Sequence, residues 1–182
     1  MNTKLFSLAR SGHRLMATGA TYLQHPVLLV VRLYWGWSFF QTGKGKLMTH
    51  SDVTEFFTSL GIPLPGLNAW VAGATECFGG LLLLAGLASR LTTVPLMITM
   101  IVAYLTADME AVKSIFSDPD KFTEATPFLF LFASVIIFLF GPGALSLDRL
   151  IAWLVSRKSE PEPNTSTTFA QQGSHAGALA GQ

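Results

Sequence analysis

Two charges in this chain stand where an apolar solvent is expected: Arg32, inside VLLVVRLYWGWSFF, and Glu76, inside NAWVAGATECFGGLLLLAGLA. On an insertion scale each costs about 2.5–3.5 kcal/mol at the centre of a membrane helix, so each needs a partner. At about 1.5 Å per residue the two lie about 9 Å apart in depth, near the reach of their side chains. A direct pair fixing helix register, or a water or ligand between them, both fit that offset. Glu76 is also the group best suited to carry a proton, with Arg32 holding a ligand oxygen. Lys44 and Lys46 follow the stretch that holds Arg32, and Arg90 follows the one that holds Glu76. Lys44 and Lys46 could balance helix-end carbonyls or, with Asp108 and Glu124 at the ends of the later stretches, form a polar mouth for a small anion or a quinone head group.

Other chemistries drop out. His13, His25, His50 and His175 lie outside the apolar stretches or at their edges, so a membrane haem with two axial histidines has no ligands. Cys77 is the single cysteine, which rules out an internal disulfide, a dithiol relay and a zinc site. Beside Glu76 on an apolar helix it reads as packing. No Walker, Rossmann or nucleophile-elbow pattern is present, and no metal is expected. The cluster Tyr34, Trp35, Trp37, Phe39 and Phe40 could stack a quinone ring, but at successive helix positions most of these rings must point elsewhere.

The composition says which solvent surrounds these residues. Half of the 182 residues are apolar and 13% are charged, where about 25% is usual for a soluble domain. Mean hydropathy is +0.45. A net charge of +1 gives no footprint for nucleic acid. The chain reads as an all-α integral membrane protein in contact with lipid.

Four stretches are long enough to span, about 20 residues being needed: about 26–46, 68–88, 91–106 and 127–140. None alternates as a membrane barrel strand does. Pro26 suits a helix start, Gly86 and Ser89-Arg90 make a short turn, and Gly141-Pro142-Gly143 ends the last span. The second and third helices are therefore antiparallel neighbours. Between the first two spans, Val53, Phe56, Phe57 and Leu60 share one helical face, predicting a short amphipathic helix capped by Ser51 or Asp52 and closed by Gly61. The expected architecture is a four-transmembrane-helix bundle over 26–153, with a cytoplasmic segment 1–25 and a disordered cytoplasmic tail 154–182.

Small residues place the charges. Ala69, Ala72, Gly73, Glu76, Gly79 and Gly80 form one stripe at helical spacing, and Arg32, Gly36, Phe39 and Gly43 form another. Such stripes let helix backbones approach closely, so both charges face the bundle interior. With the N-terminus in the cytoplasm, Lys4, Arg10, Arg14, Arg90, Arg149, Arg157 and Lys158 lie inside, against Lys44, Lys46, Lys113 and Lys121 outside. Both termini then face the cytoplasm.

The ordered pieces are similar to DoxX-type membrane proteins. They are Arg32, Gly36, Phe40, Gly43-Lys44 and Lys46-Leu47; then Phe57 and Leu60-Gly61-Ile62-Pro63; then Glu76-Cys77-Phe78-Gly79-Gly80 through Leu87, and Arg90; and last Gly141-Pro142-Gly143 through Asp148. The resemblance covers about 26–153. It implies a four-helix protein of a bacterial inner membrane, some of whose relatives belong to thiosulfate:quinone oxidoreductase systems. On that implication Glu76 and Arg32 are the candidate catalytic residues, Lys44, Lys46 and Arg90 the candidate cofactor-binding residues, and quinone the cofactor. Two other readings stay open: a non-catalytic anchor for a soluble redox partner, and a small solute carrier, which would need to form a homodimer.

Overall fold

The computed structural model describes residues 2–143 and 146–158, with side chains described at Arg10, His13, Arg14 and from Met16 to Arg157. Eight helices and no strands occur among the described residues: α1 Asn2–Met48, α2 His50–Ser59, α3 Pro65–Ala85, α4 Ser89–Thr106, α5 Met109–Lys113, α6 Pro119–Glu124, α7 Thr126–Phe140 and α8 Leu147–Lys158. The chain divides into two compact units, 1–149 and 150–182. The described part of the second is the remainder of α8, where the Arg157 guanidinium lies 4.4 Å over the Trp153 ring. The expected tail from 159 onward lies outside the described residues, and 154–158, expected in that tail, are helical.

Helix α1 packs on α3, α3 on α4, α4 on α7 and α7 back on α1, so four helices close a ring. Phe39, Leu83, Leu96, Met100 and Ile137 fill its centre, one or two from each helix. Two of the four, α3 with 21 residues and α4 with 18, are long and apolar enough to cross a bilayer; α7 is apolar but shorter. The buried polar set contains Arg32, Glu76, Ser89, Thr92, Thr93 and Ser134, while Trp37, Phe78, Leu91, Ile98, Phe132 and Phe138 are exposed. Polar groups inside and large apolar groups outside suit hydrocarbon surroundings, where no water would stabilise an outward polar group.

The tightest contact is α1 against α3. A Cβ on Gly43 would sit 2.2 Å from the Cys77 nitrogen, and one on Gly80 2.4 Å from the Phe40 nitrogen. Gly36 lies against Leu84 and Gly80, and Gly73 against Leu47. The two small-residue stripes thus meet backbone to backbone in an antiparallel register, as their spacing predicts. Buried Leu28, Arg32, Gly36, Phe39 and Gly43 mark the α1 side of that seam.

Several boundaries differ from expectation. α1 runs through Pro26 without a break. The missing Pro26 N–H removes one bond, to the Tyr22 carbonyl, and α1 continues on both sides of it. α2 begins at His50 with Thr49 at its N-cap, without a side-chain capping bond, rather than at Ser51 or Asp52. Its end is as expected: Gly61 has φ +69°, and bonds from Gly61 N to Thr58 O and from Ile62 N to Phe57 O, both 3.0 Å, close a Schellman turn. α3 ends the same way at Gly86, with Gly86 N on Leu83 O and Leu87 N on Leu82 O. α5 and α6, each too short to show an apolar period, were not foreseen.

Replacing Gly43 by alanine therefore forces α1 and α3 apart and should cost about 1–3 kcal/mol. A Cβ on Gly45, two residues on, meets nothing within 4 Å, so Gly45→Ala should be neutral or stabilising by up to about 1 kcal/mol. Thermal unfolding of the two variants in one detergent tests the contrast; equal losses would mean that the seam is not what limits stability.

Candidate functional site

The seam decides which charges meet. Gly43 sits across from Cys77 and Gly36 across from Leu84, so each step up α1 matches an equal step back along α3. Continued, this register puts Arg32 across from residue 88, roughly 12 residues or about 18 Å from Glu76. That is twice the offset expected from span boundaries, and the Arg32–Glu76 pair does not form. Glu76 pairs instead with Lys46, whose Nζ donates to Oε1. Gly73 makes the approach possible, since a Cβ there would lie 3.3 Å from that of Lys46.

This pair is unequally solvated. The Glu76 side chain is fully buried, whereas that of Lys46 keeps 31% of its surface exposed. Oε2 of Glu76 is sealed from solvent and has no hydrogen-bond partner among the described residues. A buried acceptor without a donor costs about 1–3 kcal/mol, more when it is charged.

Both residues line a cavity of about 620 Å³. It lies among the end of α1, α2 and its closing turn, the first half of α3, the second half of α4 and the start of α7. Phe57 and Leu60 of α2, Ile62 and Pro63 of the turn, Ala72 of α3, Met100 and Ala103 of α4, and Pro127 and Phe130 of α7 make its walls largely apolar. Thr42, Asn68, Thr99, Thr106, Asp108 and Thr126 are the other polar contributors. Phe130 is held from behind by Phe39 and Trp35, with ring centroids 4.7 and 5.0 Å away, both edge-on. The aromatic cluster of α1 therefore buttresses the cavity instead of lining it; Tyr34 and Trp37 are exposed.

The remaining candidate cations lie outside the cavity. Arg32 is buried at the other end of the ring, donating from Nη1 to the Pro142 carbonyl at 2.7 Å. Its guanidinium covers Gly86, where a Cβ would come within 2.6 Å of Nη1. Asp148 is close enough to attract it. The same carboxylate accepts the N–H groups of Ala88, at 2.6 Å, and Ser89, at 3.1 Å, holding the left-handed Ala88 at the start of α4. Arg90 donates to the Leu139 carbonyl at 3.4 Å. Arg32, Asp148 and Arg90 thus tie the α3–α4 turn to the end of α7 and the start of α8. Lys44 is exposed on α1. Of the residues singled out by sequence, the structure brings together Glu76 and Lys46.

What sequence reasoning missed is the wall. Phe56, Phe57 and Leu60 are legible as one face of α2 with Val53, but an amphipathic face alone points to the membrane surface, and these three of its four residues line the cavity. Ala103 and Thr106 carry no signal beyond a helix and its end.

The DoxX family model matches residues 27–109, which hold α2, α3, the seam and both members of the ion pair. "Putative oxidoreductase CatD" of Bacillus subtilis (strain 168) is 32% identical over 123 residues, 68% of this chain and 85% of that protein. The chain belongs to the DoxX family. It is a membrane-associated member, with two helices fit to cross a bilayer. No solved structure matches it.

Removing the lysine from this pair should be costly, because it leaves Glu76 buried with no partner on either oxygen. Lys46→Met is expected to lose about 3 kcal/mol, and Lys46→Met with Glu76→Leu to regain most of it. Thermal unfolding in detergent checks this; a double variant as unstable as Lys46→Met would show that packing, not the stranded carboxylate, sets the loss.

Proposed function

We propose that this protein is the membrane component of a quinone-linked oxidoreductase system, with the quinone head group in the cavity beside Lys46 and Glu76. The observation that carries the reading is a mostly apolar, ring-sized space bordered by Lys46 and the buried Glu76 it pairs with. Ligand sites commonly combine apolar walls with one or two placed polar groups. The relative's printed name is consistent with a redox role.

When bound, a quinone supplies an acceptor for two electrons and two protons. The chain's own residues would hold it and manage the protons. Lys46 offers N–H donors to a ring oxygen, Phe57 and Phe130 confine the ring, and Glu76 accepts or returns a proton through the Lys46 ammonium bonded to its Oε1. Electrons would come from a reduced sulfur compound, by likeness to thiosulfate:quinone oxidoreductases, through a soluble redox partner. In this reading α1, α3, α4 and α7 all cross a bacterial inner membrane, both termini face the cytoplasm, and the cavity opens toward the outer side. Exposed Val71, Ile98 and Val102 line it from α3 and α4, which would give a lipid-borne quinone a lateral path.

Quinone per chain, extracted from protein purified in mild detergent, tests the proposal. Close to one quinone per wild-type chain is expected, falling at least fivefold in Ala103→Phe, whose ring occupies the cavity. Wild-type protein that neither retains nor takes up quinone would favour the anchoring role.

A further inference from the structure

An apolar face on α8 serves neither the core of the ring nor the cavity. Leu147, Leu150, Ile151 and Leu154 recur at helical spacing along its 12 residues and so share one stripe. Each keeps 41–52% of its surface exposed. Ala152 and Ser156 lie on the opposite face, with Arg149 beside them. Trp153 and Arg157 fall between the two faces, the guanidinium held over the indole ring. Water is a poor solvent for such a row of large apolar side chains, so something apolar has to cover this stripe.

The start of α8 says what that cover is. The Asp148 N–H donates to the Gly86 carbonyl at 3.0 Å, and the Asp148 carboxylate accepts the N–H groups of Ala88 and Ser89. These bonds hold the first turn of α8 on the link between α3 and α4, the two helices long and apolar enough to cross a bilayer. A helix that leaves from the joined ends of two spans begins at a bilayer face. Its length, about 18 Å, is well short of the roughly 30 Å of a hydrocarbon core, so crossing does not satisfy the stripe. Lying in the plane of the interface does: apolar side chains enter the acyl region, Trp153 sits at head-group level, and arginines reach the phosphates. The charges match that placement. Asp148 is the single acid of α8 and is taken up by backbone N–H groups, and the other charges of the helix are the cations Arg149, Arg157 and Lys158. We propose that α8 is an interfacial helix, with its leucine and isoleucine stripe sunk among lipid acyl chains and its arginines on lipid phosphates. The proposal stands apart from the quinone reading.

The test uses the full chain in a Cys77→Ala background, reconstituted into phosphatidylcholine–phosphatidylglycerol nanodiscs with and without brominated acyl chains. An environment-sensitive fluorophore is placed on Leu154→Cys, in the stripe, or on Ser156→Cys, on the opposite face. Both positions are exposed, so neither substitution disturbs a packed side chain. Bromine quenching at 154 should exceed that at 156 about threefold or more, with emission shifted to the blue, and aqueous iodide should show the reverse order. Adding Leu150→Glu, which puts a charge in the stripe, should cut the bromine quenching at 154 by about half or more. Equal bromine quenching at the two positions, or none at 154, would overturn the proposal. If iodide were excluded from 154 as well, the cover would be protein instead, a second copy or a soluble partner.

Discussion

The backbone contact between α1 and α3 is the constraint on which the rest depends. Helix axes usually pack 8–10 Å apart, set by the side chains between them. At Gly36, Gly43 and Gly80 there are no side chains, and the backbones meet. Such a contact fits only in a narrow range of registers, because a shift along the helix would bring Phe40 or Cys77 against backbone. The glycines therefore do more than draw the helices together. They fix Lys46 against Glu76 and Arg32 a full helical segment away, and so decide where the two buried charges are answered.

The two ends of the ring use their charges differently. Where α3 turns into α4, Arg32, Arg90 and Asp148 all bond to backbone groups of other segments. These are the bonds of a clamp, holding the left-handed Ala88 and the Gly86 turn. At the other end, Lys46 and Glu76 bond to each other beside a cavity. A buried polar atom without a hydrogen-bond partner among the described residues occurs at both ends, Oε2 of Glu76 here and the Ser89 hydroxyl at the clamp, so what separates the two ends is the cavity beside the ion pair.

Much of this was legible in the sequence, for identifiable reasons. A glycine stripe at helical spacing reports a face directly, so the seam and the inward position of both charges could be read from residues 32–43 and 69–80. Schellman ends at Gly61 and Gly86 and the tight α3–α4 turn follow from local backbone rules. Ion-pair identity was not legible, because it turns on register. Span boundaries read from hydropathy are uncertain by several residues, and each residue is about 1.5 Å, enough to exchange Arg32 for Lys46. Lys46 looked like a helix-end lysine balancing carbonyls, and nothing in its neighbours reveals that Gly73 makes room for it. The cavity was illegible for a further reason: an empty space is defined by five segments at once, and residues such as Ala103 mark it only by being small.

The position of the pair also bears on why it can be tolerated in a membrane protein. A glutamate at the bilayer centre would be expensive whatever its partner. Here the lysine stem reaches down from the end of α1, keeping part of its surface outside while its ammonium meets a carboxylate below. Lys46 thereby links a solvated helix end to a sealed interior group. Lys46, Thr106 and Asp108 border the same cavity as Glu76. The arrangement that makes the buried charge tolerable is thus one in which its partner, and not the carboxylate itself, meets the aqueous phase.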